Sequence, residues 1–278
     1  MKLNSNLKLK KYFSNKNFFC GFVMASAIFL LMILGFFAMP YDPNEINVSQ
    51  KFLGFSSAHI FGTDYLGRDV LSRLMYASRV SIFVGSAATI FGLVVGTFFG
   101  ALGGYFGGIA DSLITKIIDV QLSFPGILLA LMLIAVFGNG LQITILALSI
   151  MSVPRFARIA RSGFLKYHGA TFVLASKARG ASDARIILRH ILPNIAGDIT
   201  VTATLSFSLA VLSESGLSYL GLGVQPPLVS FGRMLSEAQR FILTDVTGLF
   251  VPAIALVILA LGFNLLGDGI SQVNRGGE

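Results

Sequence analysis

Long apolar runs, separated by shorter segments rich in glycine, proline and charge, set the pattern of this chain. A bilayer core about 30 Å thick takes about 20 apolar residues per helix at a rise of about 1.5 Å. Six runs approach or exceed that length: residues 18–39, 80–104, 113–137, 141–160, 195–213 and 249–267. They predict an all-α integral membrane protein with six transmembrane helices. The first run carries lysines in front, as a signal peptide does. It is too long for one, and Phe37-Ala38-Met39 offers no A-x-A cleavage site, so an uncleaved anchor is expected.

Two runs are disturbed internally. Lys116 and Asp119 interrupt the third at i, i+3 spacing and are expected to neutralise one another near the membrane interface. Pro154 and Arg155 cut the fourth short, and a turn whose arginines snorkel toward the headgroups is expected to complete it. The second run instead carries Gly92, Gly96, Gly100, Gly104 and Gly108 at every fourth position. In lipid, helices associate by close packing rather than by the hydrophobic effect, so Gly92, Gly96 and Gly100 read as a helix-packing stripe. At its far end, residues 103–108, the glycines also suit a chain turn.

Composition narrows the class. With 54% hydrophobic and 12% charged residues, the chain lacks the polar surface of a soluble domain, where roughly a quarter of residues are charged. A secreted disulfide scaffold, a disordered chain and an ordinary nucleic-acid-binding domain are excluded. The lone Cys20 has no disulfide partner and reads as a small buried hydrophobe. The net charge of +8 is unevenly placed. Fifteen of the 21 Lys and Arg fall on the side of the N-terminus, among them Lys2, Lys8, Lys10, Lys11, Lys16, a cluster from Arg155 to Arg189, and Arg275. The other six are Lys51, Arg68, Arg73, Arg79, Arg233 and Arg240. This bias puts both termini in the cytosol.

Catalytic chemistry is missing. No G-x-x-x-x-G-K-[ST] phosphate loop occurs, and no glycine precedes a lysine anywhere. His59, His168 and His190 fall in different loops without metal-ligand spacing, and Ser213 and Ser215, which lie near Glu214, have no histidine to complete a triad. The expectation is a chain that is not an enzyme, with no catalytic residue, no metal site and no cofactor of its own.

The longest inside segment, residues 155–193, reads as two short helices. Residues 172–179 form a helical octet ending at Gly180, which suits the left-handed position after a helix. Ser182 or Asp183 can cap the next helix, whose stripe of Ile186, Ile187, His190 and Ile191 is closed by Pro193. Such an elbow, projecting from the membrane, is a docking device.

These residues match a family pattern. Ala175-Ser176-x3-Gly180, followed by Ile191-Leu192-Pro193, resembles the E-A-A-x3-G-x9-I-x-L-P coupling loop of permease subunits of bacterial ABC importers. Leu174 replaces the Glu, Ser176 the second Ala and His190 the Ile. G-T-D-Y-L-G-R-D-V at 62–70, R-H-I-L-P-N at 189–194, S-Y-L-G-L-G-V-Q-P-P at 218–227 and N-L-L-G-D-G at 264–269 look like the dipeptide/oligopeptide/nickel importer permeases, specifically the C-type subunit.

The resemblance implies a cytoplasmic helical coupling loop, residues 161–194, between spans 4 and 5. Leu174, Ala175, Ser176, Gly180, Ile191, Leu192 and Pro193 would form its ATPase-coupling face. It implies a related second permease subunit, two ATPase subunits that hold ATP and Mg, an extracytoplasmic substrate-binding protein, and no nucleic acid. Residues 1–17 become a cytoplasmic basic tail, 18–39 the first anchor, 40–79 an extracytoplasmic loop and 80–278 the permease domain. The implied function is ATP-driven import of peptides across the bacterial inner membrane. A nickel or other small-solute importer of the same family is the alternative. An ion-coupled transporter would need ionisable residues at mid-membrane in two related halves, whereas Asp119 and Asp198 lie near the inner ends of their spans.

The substrate pathway has no assignable residues. Asp64, Arg68 and Asp69 are expected to tie the first outer loop by local charge pairing, and Gln225-Pro226-Pro227 to form a rigid turn. Glu214 either lines the pathway or caps a re-entrant segment.

Overall fold

A computed structural model describes residues 10–275. Lys2 and Lys8 of the basic tail lie outside the described residues. The chain is helical almost throughout, with α1 Lys16–Phe37, α2 Val70–Phe106, α3 Gly108–Ser123, α4 Gly126–Phe137, α5 Leu141–His168, α6 Thr171–Ala178, α7 Asp183–Ile186, α8 Leu192–Tyr219, α9 Phe231–Ala238 and α10 Thr247–Arg275. Among the described residues, five helical runs are long and apolar enough to cross a membrane, six if the bent pair α3–α4 counts as one span.

The third expected span, 113–137, is broken. Its halves α3 and α4 meet at 87°, because Pro125 excludes the helical conformation at Phe124, which is extended at φ −90° and ψ 137°. Lys116 and Asp119 do not pair; Asp119 instead meets Arg158 of α5 at 3.0 Å. The fourth span runs to His168 as one helix, with no completing turn at Pro154. Proline removes the N–H that would bond the carbonyl of Ile150. The side-chain amide of Gln121 on α3 donates to that carbonyl at 2.5 Å, so the helix continues past the proline without an orphaned acceptor.

Helix α2 starts at Val70, ten residues before the apolar run, because Asp69 accepts the Ser72 amide and caps it. It lies along α5 with glycine against backbone. A Cβ at Gly92 would stand 2.5 Å from that of Ser152, one at Gly96 2.5 Å from the Val153 carbonyl oxygen, and one at Gly104 2.6 Å from that of Arg161. Gly108 is off this face, past the turn at Gly107, with φ +60° and nothing near it. A second close pairing joins α1 to α10, where Gly21 abuts Gly262 and Leu266. Cys20, expected buried, is exposed on the outward face of α1, where Phe19, Phe22 and Val23 are exposed too. For a membrane span the apolar outward surface is the lipid contact, so exposure of these side chains needs no water.

Three apolar clusters hold the bundle. One joins Val70, Leu74, Phe207, Phe231 and Leu259 at the end nearest α9, and a second joins Val84, Ile134, Leu148 and Leu217 in the middle. The third brings Phe156 and Phe164 of α5 against Val173, Ile186, Ile191 and Ile195, rooting α6 and α7 in the opposite end of the bundle.

Candidate functional site

At that rooted end, α6 and α7 form the elbow that the sequence predicts. Gly180 has φ +77°, and the amides of Gly180 and Ala181 bond back to the carbonyls of Lys177 and Ser176 at 2.9 and 3.1 Å, closing α6 in the Schellman manner. The second elbow helix does not stop at Pro193. From Ile187 to Ile191 the backbone widens into a π turn and runs straight into α8, with Pro193 in its first turn. There a missing N–H costs little. The elbow is thus continuous with a membrane-crossing helix.

The residues that the sequence resemblance assigns to a coupling loop divide by exposure. Leu174, Ala175, Gly180 and Pro193 are exposed, Leu192 is half-buried, and Ser176 and Ile191 are buried. The Ser176 hydroxyl donates to the Phe172 carbonyl at 2.8 Å, and Ile191 packs into the root. The outward ridge therefore consists of Leu174, Ala175 and Gly180, with Phe172 and Leu188 exposed nearby on the elbow. Sequence reasoning misses Tyr105 at the foot of α2. Its hydroxyl donates to Asp183 at 2.5 Å, and the Lys177 ammonium stands 5.1 Å from its ring centroid. An aromatic hydroxyl closing a glycine-rich span was the available sign.

The opposite end is a capped charge cluster. Arg68 donates to Asp64 at 2.7 Å and to Glu237 at 2.6 Å, Arg73 donates to Glu237 at 2.8 Å, and Arg233 donates to its other oxygen at 2.9 Å. Local pairing of Asp64 with Arg68 fits the sequence expectation; the tie to α9 through Glu237 does not follow from it. Asp69 takes another partner, the ring nitrogen of His59 at 3.0 Å. Burial works against the Glu237 charge, yet Arg73 and Arg68 hold its carboxyl below the usual range. Burial likewise opposes the Arg68 charge, and Asp64 and Glu237 outweigh it, raising the pKa.

Glu214, fully buried in α8, lines no open path. It accepts from Ser81 of α2 at 3.0 Å and from Ser218 at 2.6 Å. Ser218 in turn accepts the Val224 amide at 3.0 Å. The carboxyl thereby fastens the α8–α9 connection to α2. Gln225 braces the same connection through the carbonyls of Gly221 and Gly223. Among the described residues no group of His, Cys, Asp and Glu could hold a metal ion.

A bundle of membrane-crossing helices, with a rooted two-helix elbow at one end and a charge-bound cap at the other, defines a multi-pass helical membrane protein. Residues 92–274 match the family described as binding-protein-dependent transport system inner membrane component. The chain is 38% identical over 263 residues to the dipeptide transport system permease protein DppC of Alkalihalophilus pseudofirmus, covering 95% of this chain and 86% of that one. It is 37% identical to the glutathione transport system permease protein GsiD of Pectobacterium atrosepticum, covering 89% and 84%. A chain of the inward-facing MetNI methionine ABC transporter shares the fold at TM-score 0.57 and 21% identity, over 72% of this chain and 95% of that one. The chain belongs to the family of binding-protein-dependent transport system inner membrane components. It is a multi-pass inner-membrane permease of an ABC importer, not an enzyme, and works with ATPase and binding-protein partners.

Proposed function

We propose that this chain is the C-type permease subunit of a peptide importer, pairing with a related second permease to enclose the path. Two ATPase subunits, holding ATP and Mg, dock on the ridge of Leu174, Ala175 and Gly180. The binding protein delivers cargo at the Glu237 cap, and the basic bias keeps the elbow and both termini in the cytosol. Relatives named for dipeptide and glutathione transport support peptides as the cargo.

One observation carries the mechanism: elbow and span are a single piece. The π turn joins α7 to α8 without a hinge loop, and Tyr105 pins the elbow to α2. Movement of the ATPases therefore tilts α8 and α2 as levers. Transport follows as a differential stabilisation of inward-open and outward-open states.

The test is uptake by the complete importer reconstituted in vesicles with its binding protein. Labelled dipeptides should accumulate with ATP and nickel ions should not; the reverse would overturn the peptide reading. Gly180→Val, which forces a β-branched residue into positive φ, should abolish uptake and stimulated hydrolysis while the permease pair stays assembled. Wild-type rates in that variant would refute coupling through the elbow.

A further inference from the structure

Beside the charge cluster, where α8 ends, lies a cavity of about 380 Å³, within the size range of small-ligand sites. Arg233, Ser236, Glu237, Gln239 and Arg240 supply its polar groups, and the Tyr219 hydroxyl at its wall donates to Gln239. Tyr65, stacked on Phe241 with ring centroids 4.9 Å apart, supplies an aromatic wall.

The charge around this cavity is unbalanced. Three guanidiniums, Arg68, Arg73 and Arg233, share the two carboxylates of Asp64 and Glu237. Both oxygens of Glu237 are taken, so its negative charge is spent within the cluster. Arg233 engages that carboxylate through Nε alone, which leaves the paired N–H groups of its fork without a carboxylate. Arg240 is exposed and has no ion-pair partner among the described residues. Of the last four carbonyls of α8 only that of Tyr219 has no amide donor among the described residues, so the helix end opposes this surplus with a single free acceptor. The carbonyls of Gly216, Leu217 and Ser218 are bonded by the amides of Leu220 to Gly223. A concave site with surplus guanidinium donors, the Ser236 hydroxyl and an aromatic wall matches a small carboxylate whose neighbouring atoms are amides and side chains.

We propose that this cavity is a transit site for the peptide cargo, in which Arg233 and Arg240 hold the C-terminal carboxylate as the peptide leaves the binding protein. The inference rests on the peptide reading above and adds the group of the cargo that is recognised and the residues that recognise it. The helical run from Asp183 to Tyr219 connects the cavity to the elbow, so an occupied site bears on the same lever that the ATPases move.

The experiment uses the complete permease–ATPase complex in nanodiscs and a photoreactive dipeptide, glycyl-p-benzoylphenylalanine, as the free acid and as the amide. Mass spectrometry maps the labelled segment without binding protein present. The free acid should label residues 219–241, with at least fivefold less labelling by the amide. Arg240→Gln, an exposed change outside the ion pairs, should cut free-acid labelling at least fivefold, and Arg240→Lys should retain about half of it.

Equal labelling by acid and amide, labelling elsewhere, or no effect of Arg240→Gln would overturn the site. If Arg240→Gln instead lowered only binding-protein-stimulated hydrolysis, the arginine would serve a carboxylate of the binding protein, and the proposal would also fall. Uptake of the same dipeptide by wild-type vesicles separates the two levels. Uptake without acid-selective labelling defeats the transit site alone, whereas absence of peptide uptake defeats the peptide reading itself.

Discussion

Gly96 gives the sharpest physical test of the bundle. A Cβ added there would stand 2.5 Å from the Val153 carbonyl oxygen, 2.7 Å from Phe156 Cβ and 3.0 Å from the Ala157 amide nitrogen. Ordinary carbon contacts need about 3.5 Å, so α2 and α5 must part by about 1 Å to admit one methyl. Overpacking of this kind costs about 1–3 kcal/mol, and alanine returns up to about 1 kcal/mol in helix propensity. Because the 2.5 Å contact is with backbone and not with a flexible side-chain end, the upper part of that range applies, and Gly96→Ala should lose about 1–2 kcal/mol net, read as a fall of roughly 2–8 °C in the melting temperature.

Gly100 faces the same partner, against Ala157 and Ala160. One parting of the helices relieves both clashes, so the double variant Gly96→Ala/Gly100→Ala should lose no more than the larger single, a strongly non-additive cycle. Gly169→Ala, with nothing within 4 Å and no positive φ, is the control and should melt as wild type. Far-ultraviolet circular dichroism of the purified chain in detergent suffices, since the helices are the signal. A Gly96→Ala protein as stable as wild type, or a double variant that loses the sum of the singles, would refute close backbone packing along this stripe.

Three further outcomes follow from named contacts. Gln121→Leu should cost about 1–3 kcal/mol by stranding the Ile150 carbonyl, and almost nothing in a Pro154→Ala background, where the helix regains its own N–H; equal losses in both backgrounds would show that Gln121 does not serve the proline gap. Because the Glu237 pKa is depressed on folding, its stabilisation is full above the unfolded value of about 4.3 and drains as pH falls through the lower folded value; melts should be flat from pH 7 to 5 and drop more steeply below 4 than those of Glu237→Gln, and parallel acid limbs would contradict this. With Cys20→Ala as background, Ser57→Cys should react with an impermeant thiol reagent in outer-permeabilised cells and Ser182→Cys only after the inner membrane is opened; the opposite order would invert the topology.

The apolar runs by themselves determined that the chain is a helical membrane protein, because a bilayer leaves an isolated segment no other way to satisfy its backbone. Local turn chemistry was legible for the same reason of short range. Gly180 is required by a conformation that depends on its immediate neighbours, and the octet before it ends within a residue of the expected place. Proline was read less well, since its effect depends on what surrounds it. At Pro125 the span bends by 87°. At Pro154 a glutamine from α3 supplies the missing bond, and at Pro193 a π turn absorbs the strain, so both helices continue.

Partnerships between distant residues were decided only by the tertiary structure. Asp119 had a lysine three residues away and chose Arg158 on another helix. Arg68 and Arg73 meet Glu237, more than 160 positions on, and Tyr105 finds Asp183 across the root of the elbow. Sequence spacing fixes which side chains share a helix face, whereas the depth at which two helices cross, set here by glycines that let backbones touch, fixes which faces meet. The cavity at the end of α8 belongs to this second kind, since its walls come from Tyr65, Tyr219 and the segment after Arg233, which only the closed bundle brings together.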